Sequence, residues 1–230
     1  MQELDFSCAH FLFPPINREG IRFVIIGGCV SLLLSLLLRR AGLPGFATLV
    51  WALPLAIYYF FRDPERYPPL DEKAILSPAD GTVCLIDKRP IPAELNPASA
   101  EPVWRVCVFM SVFNVHVNRT PAGGMIRNTH YVKGAFFNAS LDKASDKNER
   151  YLYLMESRGE QLAFVQIAGL VARRIVPFVR DGQSLATGER FGLIRFGSRL
   201  DVYLPPGIEP EVRPGQTLVA GESVISRFAK

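Results

Sequence analysis

The stretch that decides the fold is Phe191-Gly192-Leu193-Ile194-Arg195-Phe196-Gly197-Ser198-Arg199-Leu200-Asp201-Val202-Tyr203-Leu204. After Ser198, aliphatic residues alternate with charged or aromatic ones, a period of two that is typical of a half-buried β-strand. The residues before Gly197 also favour an extended strand. Gly197 and Ser198 therefore either join two extended segments through a turn or bulge, the commoner outcome for such a pair, or form a reactive peptide bond.

A reactive bond between Gly197 and Ser198 depends on chemistry supplied elsewhere in the chain. Gly197 has no Cβ, so its carbonyl is open to close approach, and the neighbouring residue carries a hydroxyl. Such an intramolecular attack gains about 7–11 kcal/mol from proximity when the geometry is right. It also requires a base for the hydroxyl and hydrogen-bond donors for the oxyanion.

The composition narrows the class of protein. The chain has 230 residues and a formal net charge of +4, and it contains no Lys- and Arg-rich run. This argues against nucleic-acid binding and fits an anionic membrane surface. Its cysteines are scattered without a C-x-x-C pair, so we predict neither a disulfide framework nor a metal site, and a reducing compartment fits best. The four cysteines are Cys8, Cys29, Cys84 and Cys107.

Two uncharged apolar runs dominate the N-terminal part, residues 23–38 and residues 43–61. As helices they would rise about 24 and 28 Å against a hydrocarbon core of about 30 Å, so the second can span a bilayer and the first is marginal. Small residues recur every four positions in each run, which lets two helix backbones approach closely. These residues are Gly27, Ser31 and Ser35 in the first run and Thr48, Ala52 and Ala56 in the second.

We therefore predict that residues 1–62 form an N-terminal arm and an antiparallel helical hairpin that anchors the chain in a membrane. A buried helical hairpin of a soluble protein is the alternative, but almost no charged face exists to solvate it. Four arginines flank the outer ends of the hairpin, and Arg39 and Arg40 lie at its tip. This excess predicts that both ends, and the domain that follows, lie on the cytoplasmic side of the cell membrane.

The composition changes after Arg62, and residues 63–230 are predicted to form a β-rich domain. Short apolar or alternating runs separated by Gly and Pro predict strands at 75–76, 82–86, 103–110, 112–117, 161–171, 191–196 and 200–204. Residues 138–150 are polar and predict a surface loop over a site. The predicted fold class is α+β, predominantly β, with the helical membrane hairpin preceding the β-rich domain.

Three chemically suited side chains lie on separate segments. Asp80 follows Ser77-Pro78-Ala79 in a predicted turn, His116 lies in an apolar strand-like run, and Ser198 follows Gly197. Singly, each has a structural explanation, as a turn, a buried core histidine and a loop residue. Together they are an acid, a base and a nucleophile, the set that activates a hydroxyl. The sequence does not show that they meet.

Four motifs in this order resemble the short-form phosphatidylserine decarboxylases, which are pyruvoyl enzymes. They are Ser-Pro-Ala-Asp-Gly at 77–81, Phe-Asn-Val-His-Val-Asn-Arg-x-Pro at 113–121, Asn-Glu-Arg at 148–150 and Phe-Gly-Ser-Arg at 196–199. The resemblance covers the whole chain, and the order and spacing are specific although each motif alone is weak. One departure is Arg119, which stands where longer members carry a second histidine. His116 would then serve alone, and His130 is a distant substitute.

The resemblance implies a self-processing zymogen. Asp80 would orient His116, which would deprotonate Ser198 so that its oxygen attacks the carbonyl of Gly197. Elimination from the resulting ester would release residues 1–197 and leave a pyruvoyl group, the covalent cofactor, at the start of residues 198–230. This ketone would condense with the amine of phosphatidylserine and accept the electrons freed when CO₂ leaves. His116 would reprotonate the product, phosphatidylethanolamine.

The resemblance also implies partners. These are phosphatidylserine, the bilayer, and the two cleavage chains with each other, whereas a homodimer is left open and no nucleic acid is expected. Asn148 and Arg150 are predicted to bind substrate. The β-rich domain, residues 63–230, is then the catalytic domain of a carboxy-lyase of phospholipid biosynthesis.

Other readings of the same residues stay open. A membrane-anchored Ser-His-Asp hydrolase would use the same three residue types, although Ser198 lacks the Gly-x-Ser-x-Gly elbow. A non-enzymatic β-rich membrane module would need neither Asp80 nor His116. Within the family, a related lipid such as archaetidylserine could replace phosphatidylserine, whereas the apolar hairpin argues against a soluble amino acid.

Overall fold

The computed structural model describes residues 13–135, 147–169, 174–195 and 198–229. The chain divides after Glu65 into two compact units. The described part of the first unit contains three helices, α1 (Arg18–Arg40), α2 (Pro44–Leu49) and α3 (Ala52–Phe60). The predicted division at residues 62 and 63 lies three residues earlier.

Helix α1 is the one described helix that is long and apolar enough to cross a membrane. It begins after Asn17, whose side chain accepts a hydrogen bond of 3.1 Å from the backbone N–H of Glu19, and its last turn carries Arg39 and Arg40. A side-chain acceptor at the N-terminus and positive charges at the C-terminus are what the ends of a helix favour. Its 23 residues rise about 34 Å. The helix extends beyond the uncharged residues 23–38 at both ends, so it is longer than the run on which the sequence prediction was based.

The second apolar run does not form one spanning helix, which corrects the prediction for residues 43–61. It breaks at Val50 and Trp51 into α2, of 6 residues, and α3, of 9 residues. The physical reason is Pro54, which has no N–H to donate to the carbonyl of Val50 four residues earlier. That carbonyl accepts a hydrogen bond of 3.2 Å from the N–H of Leu53 and one of 2.9 Å from the hydroxyl of Ser31 on α1.

The stripe of small residues on α1 is buried as predicted, at Gly27, Ser31 and Ser35. The stripe predicted on the second run is exposed instead, at Thr48, Ala52 and Ala56. A Cβ added at Gly27 would lie 2.8 Å from the side chain of Ile57 and 3.6 Å from the Cα of Pro54. Close packing between α1 and α3 thus uses the small residues of one helix only.

The second unit is built from thirteen described strands. One antiparallel sheet of eight strands has the order β12-β2-β3-β11-β7-β6-β5-β9, and β4-β10-β8 and β1-β13 form two smaller sheets. The predominantly β, α+β fold class is confirmed. The strands are β1 (Ala74–Leu76), β2 (Gly81–Arg89), β3 (Val103–Met110), β4 (Val117–Arg119), β5 (Gly124–Val132), β6 (Arg150–Ser157), β7 (Glu160–Ala168), β8 (Arg174–Pro177), β9 (Ser184–Leu185), β10 (Arg190–Arg195), β11 (Ser198–Tyr203), β12 (Thr217–Leu218) and β13 (Val224–Arg227).

Strand β11 is buried on both faces, not on one as its alternation predicted. All six of its residues are buried, including Arg199 and Asp201. These two side chains pair with each other, with 2.6 Å between Nε and Oδ1, so the polar face needs no solvent. One face of the eight-stranded sheet packs its apolar side chains with those of β8 and β10, and the other face has a smaller apolar cluster that includes Leu95 of the short 3₁₀ helix Ala93–Leu95.

Two loop and strand assignments are also corrected. Residues 112–116 are not a strand, because the side chain of Asn114 accepts hydrogen bonds of 2.8 Å from the N–H and hydroxyl of Ser111 and closes a turn, and β4 begins only at Val117. The polar segment 138–150 ends in β6, which begins at Arg150. Residues 136–146 lie outside the described ranges.

Candidate active site

The predicted nucleophile, Ser198, opens β11 in the middle of the eight-stranded sheet. It lies opposite Met110 of β3 on one side and Ala168 of β7 on the other. Its side chain is fully buried, and its Oγ lies 3.9 Å from the Sδ of Met110. A thioether is a weak acceptor, so within the described residues the proton of this hydroxyl is not committed to a strong partner. Gly197, the other half of the predicted cleavage site, lies outside the described residues.

The other predicted site residues gather at the same end of the sheet. Strands β2, β11 and β6 begin there, and β3 and β7 end there, because neighbouring strands are antiparallel. Asp80 precedes the first residue of β2, and Asn148 and Arg150 lie at the start of β6. The sheet thus brings segments far apart in sequence to one edge.

His116 lies just before β4 and is fully buried. Its Nδ1 is 2.9 Å from the carbonyl oxygen of Asn114, and its own carbonyl accepts a hydrogen bond of 3.3 Å from the N–H of Ile194 near the end of β10. A carbonyl can only accept, so Nδ1 donates to it and the basic lone pair is placed on Nε2. The ring therefore has the tautomer of a base and lies beside the strand that leads to Ser198.

Among the contacts between described residues, none joins Asp80 to His116 as the relay would require. Its Oδ2 lies 2.8 Å from Nη2 of Arg66, and its Oδ1 accepts a hydrogen bond of 2.8 Å from the backbone N–H of Ala220. The backbone of its turn does run beside the histidine segment, since the carbonyl of Pro78 accepts from the N–H of Arg119 at 2.9 Å. Among the described contacts it is the carbonyl of Asn114, not Asp80, that orients the imidazole.

Asn148 and Arg150 have different surroundings. Asn148 is buried, and its amide donates a hydrogen bond of 2.8 Å to the carbonyl of Ala168, the residue opposite Ser198. Arg150 lines a cavity of about 350 Å³ on the other face of the sheet, 3.6 Å from Glu94. Their predicted contacts with substrate stay predictions.

A buried polar chain beside Ser198 was missed by sequence reasoning. The hydroxyl of Tyr153 donates to Oε1 of Gln166 at 2.7 Å, and Nε2 of Gln166 donates to Oδ1 of Asn118 at 2.8 Å. Nδ2 of Asn118 then lies 3.5 Å from the Sδ of Met110. All four side chains are fully buried. The single glutamine inside the apolar run of β7 was the available signal, because an amide is buried only where it is hydrogen-bonded.

Gly192 makes room for this chain. A Cβ at that position would lie 2.8 Å from Nε2 of Gln166. Strand β10, which carries Gly192, therefore packs directly on the amide of Gln166 and leaves this side chain little freedom. The buried chain thus ends at the thioether that touches the hydroxyl of Ser198.

The opposite face of β11 carries a buried ion network. Arg199 and Arg105 both contact the carboxylate of Asp201, and Nη1 of Arg105 lies 3.2 Å from its Oδ2. Arg105 also donates two hydrogen bonds of 2.8 Å to Asp87. Burial opposes the charge of Arg105, but its bonds to Asp87 and Asp201 raise the pKa of its guanidinium above the ordinary value. Burial raises the pKa of the Cys107 thiol beside it, so that thiol is held neutral.

The described residues offer no cluster of three or more His, Cys, Asp or Glu side chains that could hold a metal ion.

Comparison with known proteins assigns this chain to a family. A family model described as phosphatidylserine decarboxylase matches residues 53–226. A phosphatidylserine decarboxylase proenzyme of Ruegeria pomeroyi is 54% identical over 213 residues, which cover 92% of this chain and 94% of that protein. Proteins of the same name are 47% identical in Novosphingobium aromaticivorans, covering 96% and 90%, and 54% identical in Cereibacter sphaeroides, covering 92% and 89%. With most of its length matched at this identity, the chain belongs to the phosphatidylserine decarboxylase family.

Proposed function

We propose that this protein is made as a proenzyme, cuts itself between Gly197 and Ser198, and then decarboxylates phosphatidylserine to phosphatidylethanolamine with a pyruvoyl group derived from Ser198. The observation that carries the proposal is the position of Ser198. A buried hydroxyl with a weak sulfur contact opens a central strand of the sheet, and a buried histidine in the tautomer of a base is hydrogen-bonded through its backbone to β10, the strand that precedes Ser198 in the chain. The names of the relatives supply the substrate and the word proenzyme.

In the maturation step, the Oγ of Ser198 attacks the carbonyl carbon of Gly197 and its proton passes to His116. The C–N bond between the two residues breaks, which leaves an ester of Gly197 on the serine oxygen. Loss of the Cα proton of Ser198 expels the Gly197 carboxylate, and water then replaces the nitrogen, which leaves as ammonia. The hydrogen bond from Nδ1 of His116 to the carbonyl of Asn114 keeps the imidazole in one orientation through both proton transfers.

The fold explains how the protein survives this cut. The small chain, residues 198–230, contributes β11, β12 and β13, and each pairs with strands of the large chain. Strand β11 is held on both edges, by β3 and by β7. The two chains are therefore expected to stay together as one folded domain after cleavage.

The residues around Ser198 fit the ketone that would replace it. Its position is buried and lies between Met110 and Ala168, and the amide of Asn148 donates a hydrogen bond to the carbonyl of Ala168. When formed, the pyruvoyl group supplies an electron sink for the loss of CO₂. His116 is assigned the return of a proton to the product carbon, a step where a placed acid contributes about 10²–10⁴-fold.

The proposed location is the cell membrane, with the catalytic unit on the cytoplasmic side. Helix α1 supports membrane association by its length and apolar composition. The arginines that flank residues 21–61 support the sidedness through the positive-inside rule. Both support the proposal that the catalytic unit works where a two-chain lipid is found.

Intact-mass measurement of the purified protein tests the proposal. We expect two chains, residues 1–197 and 198–230, with the small chain blocked to amine-terminal sequencing and trapped by borohydride in the presence of phosphatidylserine. Ser198→Ala should remain one chain and release no CO₂. A full-mass, active protein with an intact Gly197–Ser198 bond would refute the pyruvoyl mechanism and favour a hydrolase.

A further inference from the structure

The turn after β3 displays two apolar side chains next to the candidate active site. Val112 is 43% exposed and Phe113 is 72% exposed. The turn lies between Met110, which is opposite Ser198 in the sheet, and the buried His116. A single exposed apolar residue is ordinary, but a phenylalanine and a valine together at the tip of a turn at the edge of the site call for an explanation.

Hydrogen bonds hold this turn in shape. The side-chain oxygen of Asn114 accepts from both the N–H and the hydroxyl of Ser111 at 2.8 Å, and the N–H of Asn114 donates to the carbonyl of Ser111 at 3.0 Å. The N–H of Phe113 lies 3.4 Å from the same hydroxyl. The apolar tip is therefore presented by a closed turn, so docking it elsewhere requires little ordering of the backbone.

Positive charge accompanies the apolar tip. Arg195 ends β10 and is opposite Arg174, which begins β8. The carbonyl of His116 accepts from Ile194, so the segment that follows the turn is tied to this end of β10. Arg174 is exposed and Arg195 is half-buried. An apolar tip, with arginines on the end of a strand to which the following segment is hydrogen-bonded, is a combination suited to the interface of an anionic bilayer.

We propose that the 111–114 turn is a membrane-docking element of the catalytic unit, which inserts Val112 and Phe113 into the interface of a bilayer containing anionic phospholipid, with Arg174 and Arg195 facing the headgroup phosphates. This inference rests on the proposed function, since it explains how a site reaches a lipid that stays in its bilayer. Phenylalanine favours this boundary, and each arginine near an anionic surface adds attraction.

A kinetic comparison on the full-length enzyme tests the proposal. The double variant Val112→Ser, Phe113→Ser should lose about 10- to 100-fold in kcat/KM on long-chain phosphatidylserine in vesicles, the factor expected for removing one buried aromatic side chain. Its self-cleavage, and its turnover of a short-chain, monomeric phosphatidylserine, should stay at the wild-type level. Phe178→Ser is the matched control, because this partly exposed phenylalanine lies at the other end of β8 and β10. Equal losses on both substrates, or none on vesicles, would overturn the proposal.

A spectroscopic measurement separates docking from catalysis. Phe113→Trp is made with the native tryptophans replaced (Trp51→Phe, Trp104→Phe), and brominated lipids are included in vesicles of phosphatidylcholine and phosphatidylglycerol. Quenching of the indole at position 113, stronger with phosphatidylglycerol than without, supports insertion. An unquenched indole on bound protein overturns it. Quenching in a protein that releases no CO₂ would support docking and refute the proposed function, so the two failures are distinguishable.

Discussion

The buried chain from Tyr153 through Gln166 to Asn118 makes a quantitative prediction. Gln166→Leu keeps a similar volume but removes two hydrogen bonds, those of 2.7 Å from Tyr153 and 2.8 Å to Asn118. It leaves a hydroxyl and an amide oxygen without these partners in a core where all three side chains are fully buried. Each such group costs about 1–3 kcal/mol, so we expect a loss of roughly 2–6 kcal/mol. For a protein of this size that lowers Tm by roughly 5–20 °C.

A double-mutant cycle isolates the chain from general damage to the core. Tyr153→Phe alone should cost about 1–2 kcal/mol, because it deprives Oε1 of Gln166 of its donor. In the Gln166→Leu background the same change removes a hydroxyl that has already lost its partner, so it should cost nothing or stabilise the fold. The coupling between the two sites is expected at about 1–3 kcal/mol.

Unfolding is best measured in the Ser198→Ala background, where all variants are expected to stay a single chain, by near-ultraviolet circular dichroism in detergent. Self-cleavage is measured separately with Ser198 present, by the appearance of the small chain. Gln166→Leu should slow cleavage, because the amide of Asn118 is no longer held beside Met110, whereas Tyr153→Phe should leave it nearly unchanged. If Tyr153→Phe costs the same free energy in both backgrounds, the hydrogen-bonded chain inferred from the structure does not exist.

Three further predictions concern neighbouring groups. Arg66→Gln tests how Asp80 acts, through the rate of small-chain formation. If the carboxylate acts by holding Arg66, which lies 2.8 Å away, Arg66→Gln should slow self-cleavage as Asp80→Asn does. If Asp80 must leave Arg66 to reach His116, Arg66→Gln should speed cleavage. Burial opposes ionisation of Asp87, but its bonds to Arg105 lower the pKa of this carboxyl below the ordinary value, so its stabilisation is present above about pH 3.9 and is lost as the pH falls through the lower folded-state pKa. Asp87→Asn should therefore lower Tm at neutral pH, with a difference from wild type that shrinks in acid. Gly192→Ala should destabilise the unit and slow cleavage because its methyl group would press on Gln166, whereas Gly28→Ala, where an added methyl group meets nothing within 4 Å, should do neither.

The sequence predicted the strands whose patterns are local and strong. Strands β3, β10 and β11 were found within two or three residues, because apolar runs and alternation are set by neighbouring residues. Strands β5 and β6 were missed, since their polar and aromatic residues give no clear period of two. The break at Val50 was missed for a different reason. It depends on a carbonyl that Pro54 cannot bond, and this carbonyl accepts a hydrogen bond from Ser31 of another helix.

The candidate site was predicted as a set of residue types but not as a set of contacts. The residues Asp80, His116 and Ser198 do come to one end of the sheet, yet the partners of Asp80 are Arg66 and the N–H of Ala220. Such partners depend on side-chain geometry between segments far apart in sequence, which no spacing encodes. Gln166 could have been suspected from its isolation in an apolar strand, but its link to Asn118 could not.

The ion network on the far face of β11 has a consequence for Ser198. Arg199 and Asp201 belong to the small chain, whereas Arg105 and Asp87 belong to the large chain, so the buried network crosses the proposed cut. A slip of β11 by one residue would turn the Arg199 guanidinium into the apolar core and the Ser198 hydroxyl away from Met110, since successive side chains point to opposite faces. Leaving such charges unpaired costs about 3–5 kcal/mol, more than most single apolar contacts. We infer that the network fixes the register of β11 and thereby the face on which Ser198 reacts.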